Sequence, residues 1–184
     1  MKKLSGIAVA VVLTFSLISC GENKQESVIV DQKAETEETT KNRDDGAVTS
    51  APEFSEEGYA AVFESYNRLK SSLVNSKAEE AGEAGAELVA SLQEVEADPT
   101  LVAAAEKIAS EEDINQKRTA FREVSGSVSE LLEGKISSGE VYLQYCPMAF
   151  NGEGGSWLST SQEIRNPYLP ESMLTCGDVR DTLQ

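Results

Sequence analysis

From Tyr59 to Leu131 the apolar residues return at steps of three and four, and that period restricts the fold more than any other feature of the chain. Tyr59, Val62, Phe63, Tyr66, Leu69 and Leu73 form one stripe, with Ser55 placed to cap the helix that carries it. Ala81, Gly85, Leu88, Leu92 and Val95 form a second, over about residues 78–97. Ala81, Gly82, Ala84, Gly85 and Ala86 would let a neighbouring helix approach closely, although each glycine lowers helicity by about 1 kcal/mol. Asp98-Pro99 reads as a stop and a new start, Asp98 capping and Pro99 in the first turn, with Leu101, Ala105 and Ile108 continuing the pattern. Ile114, Lys117, Phe121, Val124, Val128 and Leu131 define the last long helix, which Gly134 terminates. The expectation is a mainly α fold: an up-and-down bundle of about four helices over 53–135. A small, irregular, Cys- and aromatic-rich C-terminal segment should dock on it, so that 53–184 forms the folded body.

Composition removes whole classes of chemistry. The chain has no histidine, so no Ser-His-Asp triad, no Cys-His dyad and no His-ligated zinc can be built within it. Sixteen basic residues face 32 acidic ones, a net charge of −16, and such a field repels nucleic acid. Glu79-Glu80 and Glu111 to Asp113 read as solvated helix ends rather than catalytic pairs. No nucleophile, base or organic-cofactor motif stands out, so the expectation is a protein that is not an enzyme.

The N-terminus sets the compartment. Lys2 and Lys3 precede an apolar run of twelve residues, Ile7 to Ile18, which suits a signal-peptide core and falls short of the about 20 residues a spanning helix needs. Leu17-Ile18-Ser19-Cys20 resembles a bacterial lipobox, in which the cysteine is acylated and the chain is cut just before it. That resemblance implies a signal peptide over 1–19 and lipidation at Cys20, and a membrane contact made through the N-terminal lipid. The plainer alternative is an ordinary cleaved signal with Cys20 as a bystander. Gly21, rather than Asp, follows the cysteine and favours the outer membrane, facing the periplasm. Removal of 1–19 leaves 14 bases against 32 acids, a net charge of −18. Residues 21–52 hold eight acids, four bases and no aromatic, so 20–52 reads as a lipidated cysteine and a disordered acidic tether.

The tail, 141–184, has a different chemistry. Val141 to Tyr145 alternates as a strand, Asn151 to Gly155 reads as a flexible loop, and Asn166-Pro167 marks a turn. Trp157 and Tyr168 read as core residues rather than cation-stacking platforms. So small a unit needs a further constraint, which directs attention to its sulfurs. Cys146 and Met148 stand at i and i+2, on one face of an extended stretch, and Met173 and Cys176 at i and i+3, on one side of a turn. Four soft donors in two clips suit Cu(I) or Ag(I) over Mg, Ca or Mn. A structural Cys146–Cys176 disulfide, with Met148 and Met173 as filler, accounts for the same spacing and would stabilise the fold by roughly 3.5 kcal/mol. Both readings stand on the residues alone, ahead of a thiol oxidoreductase, for which no Cys-x-x-Cys pair is present.

A resemblance bears on the choice. Tyr145-Cys146-Pro147-Met148, Trp157-Leu158-Ser159, Glu163-Ile164-Arg165-Asn166-Pro167-Tyr168 and Met173-Leu174-Thr175-Cys176-Gly177 together resemble an uncharacterised domain family. That family occurs alone in exported lipoproteins and also at the C-terminus of CusB-type heavy-metal efflux adaptors. Tyr66-Asn67-Arg68-Leu69-Lys70-Ser71-Ser72-Leu73 is similar to its first-helix motif, and Arg118-Thr119-Ala120-Phe121 with Ser125 to its last-helix motif. The Tyr-Cys-Pro-Met start also resembles a short heavy-metal-binding module that begins Tyr-x-Cys-Pro-Met-His. Ala149 stands where that module has histidine, so its metal reading reaches this chain only through Cys146, Met148, Met173 and Cys176. Leu169-Pro170 replaces the family's usual Tyr-Gly. The resemblance implies an envelope protein linked to heavy-metal efflux.

Overall fold

Two aspartates start the third and fourth helices. The Asp98 carboxylate accepts from the Thr100 amide at 2.8 Å, and that of Asp113 from the Asn115 and Gln116 amides, both at 2.9 Å, satisfying donors that a helix start otherwise leaves orphaned. The computed structural model describes residues 51–184. The expected signal peptide, Cys20 and all but the end of the expected tether lie outside the described residues. The helices are α1 (Glu57–Val74), α2 (Ala78–Glu94), α3 (Pro99–Ser110) and α4 (Ile114–Leu132), the mainly α bundle expected of the stripes. Among the described residues no helix is long and apolar enough to cross a membrane.

The stripes meet as core. Val62, Tyr66, Leu69, Leu73, Leu88, Leu92, Ile108, Phe121, Val124 and Val128 are all fully buried. At the end of α4 the buried residue is Leu132, four after Val128, while Leu131 is only partly covered. Gly85 allows the close approach of α2 and α3, since a Cβ there would stand 3.1 Å from the Ala109 nitrogen and 3.2 Å from Ile108 Cγ2. Lys117 is buried, and its ammonium donates to the Ile108 carbonyl at 2.7 Å, a cation at the C-terminal end of α3 where the helix dipole favours one.

Ser55 does not cap α1. Glu56 takes that position without a side-chain bond, because the preceding residues are drawn into a two-residue strand, β1 (Glu53–Phe54), antiparallel to β2 (Ile136–Ser138). The Ser55 amide donates to Lys135 carbonyl at 2.8 Å, so backbone pairing replaces the cap.

The tail is more regular than its sequence suggests. β3 (Val141–Cys146) is the centre of a three-stranded antiparallel sheet, flanked by β4 (Gly155–Ser159) and β5 (Asp178–Leu183). Leu143 opposes Asp181 and Gln144 opposes Val179, so Arg180 is bulged out of the edge strand, a device that discourages pairing with another chain. The loop after β3 is held tightly: the Gly154 amide donates to the Ala149 carbonyl at 2.9 Å. Within it Phe150 and Asn151 take left-handed backbone angles.

Rings carry the core from bundle to tail. Phe54, Phe63, Tyr66, Phe121 and Tyr168 touch in sequence, and Tyr168 then meets both Phe150 and Trp157, with centroids 5.1 to 6.4 Å apart. Trp157 is fully buried and Tyr168 nearly so. Both are core residues, as their setting in the sequence suggested.

Candidate dithiol site

Cys146 is the last residue of β3, and Cys176 lies two residues before β5 begins. Tyr145 opposes Asp178 across the antiparallel pair, which places the two cysteines at the same end of the sheet. Their sulfurs stand 2.7 Å apart. No disulfide bond joins them in this structure; Cys146 is fully buried and Cys176 half-buried. The site thus has an inner and an outer sulfur.

Three residues fix the outer one. Asn166, itself fully buried, donates from its amide to the Leu174 carbonyl at 2.8 Å and from Nδ2 to the Cys176 carbonyl at 2.7 Å, and its Oδ1 accepts from the Tyr168 amide at 2.8 Å. The Cys176 amide donates to Met173 carbonyl at 3.1 Å, the turn spacing expected of that clip. Gly177 has φ +145°, and a Cβ there would stand 2.9 Å from both Trp157 Cη2 and the Tyr145 carbonyl oxygen. Only glycine fits so close to that ring and strand in that conformation.

The electrostatics follow from the pairing. The hydrogen bond to Cys146 pushes the Cys176 thiol above its usual range, with burial and the charge on Cys146 acting the same way, while the Met148 amide pulls it down. The pair therefore gives up its second proton reluctantly.

The methionines take different places from those the spacing predicts. The extended run ends at Cys146, and Met148 has helical angles of φ −87° and ψ −13°, so the i and i+2 argument for a shared face does not hold. Met148 is 62% exposed; Met173, on a 3-10 turn (Glu171–Met173), is 38% exposed. The fold brings the two thiols together and leaves both thioethers at the surface beside them in sequence. Among the described residues, no group of three or more carboxylates and thiols is placed to hold a metal ion.

The bundle carries this sheet through buried polar contacts. Arg118 on α4 donates from Nε to the Pro167 carbonyl at 3.0 Å and from Nη2 to the Leu73 carbonyl at 3.1 Å and Ser76 Oγ at 2.9 Å. One buried guanidinium thus ties the end of α1, α4 and the segment just after Asn166. Burial lowers the pKa of Arg118, and the nearby Asp113 opposes that shift. The Tyr66 hydroxyl lies 2.6 Å from Ser125 Oγ and accepts from the Leu158 amide at 3.0 Å. Gln144 Nε2 donates to the Ser161 and Glu163 carbonyls at 2.7 and 3.2 Å. The residues of α1 and α4 that carry the resemblance, Tyr66, Arg118, Phe121 and Ser125, are the ones that seat the tail.

Residues 62–139 match a family model described as a protein of unknown function, DUF3347. No curated protein and no solved structure matches the chain. The matched segment runs from within α1 to just past β2 and stops before Val141, so it covers the bundle and the docking residues Tyr66, Arg118 and Ser125. The thiol pair lies beyond it. Asn166, Gly177 and the docking role of Arg118 did not emerge from the sequence as parts of a site; the quoted Asn-Pro-Tyr, Cys-Gly and Arg118-Thr119-Ala120-Phe121 strings were their only trace.

Proposed function

We propose that this is a lipid-anchored envelope protein that binds a soft monovalent ion, Cu(I) or Ag(I), at Cys146 and Cys176, for sequestration or hand-over to a heavy-metal efflux system. The observation that carries the reading is the meeting of two thiols at 2.7 Å with an exposed methionine two residues after one and three before the other. Thiolate and thioether sulfur select Cu(I) and its chemical relatives. The family resemblance supports the link to efflux, and the lipobox-like start supports an anchor in the outer membrane facing the periplasm. With no organic cofactor and no catalytic set in the proposal, the protein holds its cargo without transforming it.

The distances set a condition on loading. Two sulfurs on either side of one ion, each bonded at roughly 2.3 Å, stand up to about 4.6 Å apart, so the pair must spread by up to about 2 Å. Rotation of the Cys176 side chain supplies that movement, since the Asn166 bonds and Gly177 hold its backbone and not its sulfur, whereas Cys146 is buried at the end of the central strand. Met148 and Met173, close to the pair in sequence, are the weaker donors that the proposal assigns to the ion.

The same 2.7 Å separation favours a second reading, an interaction module whose tail is locked by a Cys146–Cys176 disulfide, since little movement is needed to join the sulfurs. A competition titration of the reduced protein against a Cu(I) chelator separates the two. The metal reading expects about one Cu(I) per chain, discrimination against Zn(II), and loss of binding in the double Cys→Ser variant. Equal competition by wild type and double variant would leave only the disulfide module.

A further inference from the structure

We infer that Cys176 is the entry sulfur for thiol–disulfide exchange with a small, solvent-borne disulfide, and that Cys146 is the resolving sulfur that closes the pair. This rests on the asymmetry of the pair and not on its binding an ion. Cys176 is half-buried on a surface turn, whereas Cys146 has no solvent exposure. An incoming disulfide can therefore meet only the outer sulfur. Once it has, the inner sulfur, 2.7 Å away, is the nearest nucleophile.

The steps balance. The Cys176 thiol loses its proton to solvent and its sulfur attacks one sulfur of the reagent, RSSR. The Cys176–SR mixed disulfide forms, and one RS⁻ leaves. The Cys146 thiol then loses its proton and attacks the Cys176 sulfur, and the second RS⁻ leaves. The protein dithiol is oxidised by two electrons and one disulfide is reduced to two thiols.

Both ends of this reaction fit one fold. The outer sulfur is positioned without a covalent link, by the Asn166 bonds to the Leu174 and Cys176 carbonyls, and by Gly177 packed against Trp157. The inner sulfur is positioned by the ladder of β3 between its two neighbours. Bringing the sulfurs from 2.7 Å to bonding distance, about 2.05 Å, takes less than an ångström. A pair held this way can close and reopen with the sheet intact, which makes it a reversible redox site.

The test uses the full chain carrying Cys20→Ser in every form, so that only this pair reports, with dithiobis(nitrobenzoate) as the disulfide. Wild type in this background should release about two chromophoric thiolates per chain and end as a closed disulfide with no adduct. Cys146→Ala should stop at one adduct on Cys176. Cys176→Ala should react at least about 10-fold more slowly than Cys146→Ala, because its remaining thiol is shielded. Near-UV dichroism of Trp157 checks that each variant is folded. A brief substoichiometric pulse on the Cys20→Ser chain, quenched in acid and mapped by peptide mass, gives the same answer without touching the pair and should find the adduct on Cys176. Equal rates for the two variants, a pulse adduct on Cys146, or a stable adduct on the Cys20→Ser chain would overturn the assignment.

Discussion

Replacing Arg118 by alanine should be among the most destabilising single changes in the domain. Its guanidinium donates to two buried backbone carbonyls, Leu73 at 3.1 Å and Pro167 at 3.0 Å, and the side chain is 94% covered, at 6% exposure. Hydrogen bonds from a charged group contribute about 1.5–3 kcal/mol each, and a carbonyl stranded in the interior forfeits a similar amount. The expected loss is about 3–6 kcal/mol, a large part of the about 5–15 kcal/mol that holds a domain together. Urea unfolding followed by the fluorescence of Trp157, the one tryptophan of the chain, reads it as a midpoint lowered by about 1.5–3 M. Arg118→Lys should recover only part, since a single ammonium lacks the fork that reaches the carbonyls of two separate segments. Arg68→Ala removes the exposed pair with Glu87 at 2.7 Å and should cost less than about 1 kcal/mol. If Arg118→Ala unfolds at the same urea concentration as Arg68→Ala, the view that this arginine seats the tail on the bundle is wrong.

Gly177→Ala should strain the turn that carries Cys176, because its Cβ would stand 2.9 Å from Trp157 and Tyr145; a melting temperature unchanged from wild type would contradict the packing argument. Cu(I) affinity should rise with pH, since the Cys146 hydrogen bond holds the Cys176 thiol above its usual range and coordination must expel that proton; chelator competition at two pH values reads the sign, and a flat response would count against thiolate ligation. Met148→Leu and Met173→Leu should weaken Cu(I) less than either Cys→Ser, because a neutral thioether is the weaker donor. Cys20→Ser should leave an unprocessed precursor or a soluble product without the detergent-phase partition of the wild type, and unchanged partition of that variant would refute the lipid anchor.

The helices were legible because burial on one face writes a period of 3.6 into the sequence. The cap-and-start signal at Asp98-Pro99 holds in the structure for the same local reason, and Asp113, read from the sequence only as part of a solvated helix end, caps α4 in the same way. What failed was decided by partners distant in sequence. Ser55 looked like a cap until Lys135, eighty residues on, took its amide. β5 reads Asp-Val-Arg-Asp-Thr-Leu and has no buried face over its first four residues, so it carries no alternating signal; it is a strand because β3 offers it an edge. The shared face proposed for Cys146 and Met148 failed because the strand ends at Cys146 and the chain turns. The nearness of Cys146 to Cys176 was an expectation from two isolated clips, and the 2.7 Å separation is produced by sheet register together with Asn166 and Gly177. Neither residue announces such a role by its type.

Native mass spectrometry of the reduced full chain, with and without Cu(I), tests the central proposal most directly. It should show about one copper per chain, present in wild type and absent when Cys146 and Cys176 are both serine. A reduced wild-type chain that takes no copper, or one that takes as much after both cysteines are replaced, would contradict it.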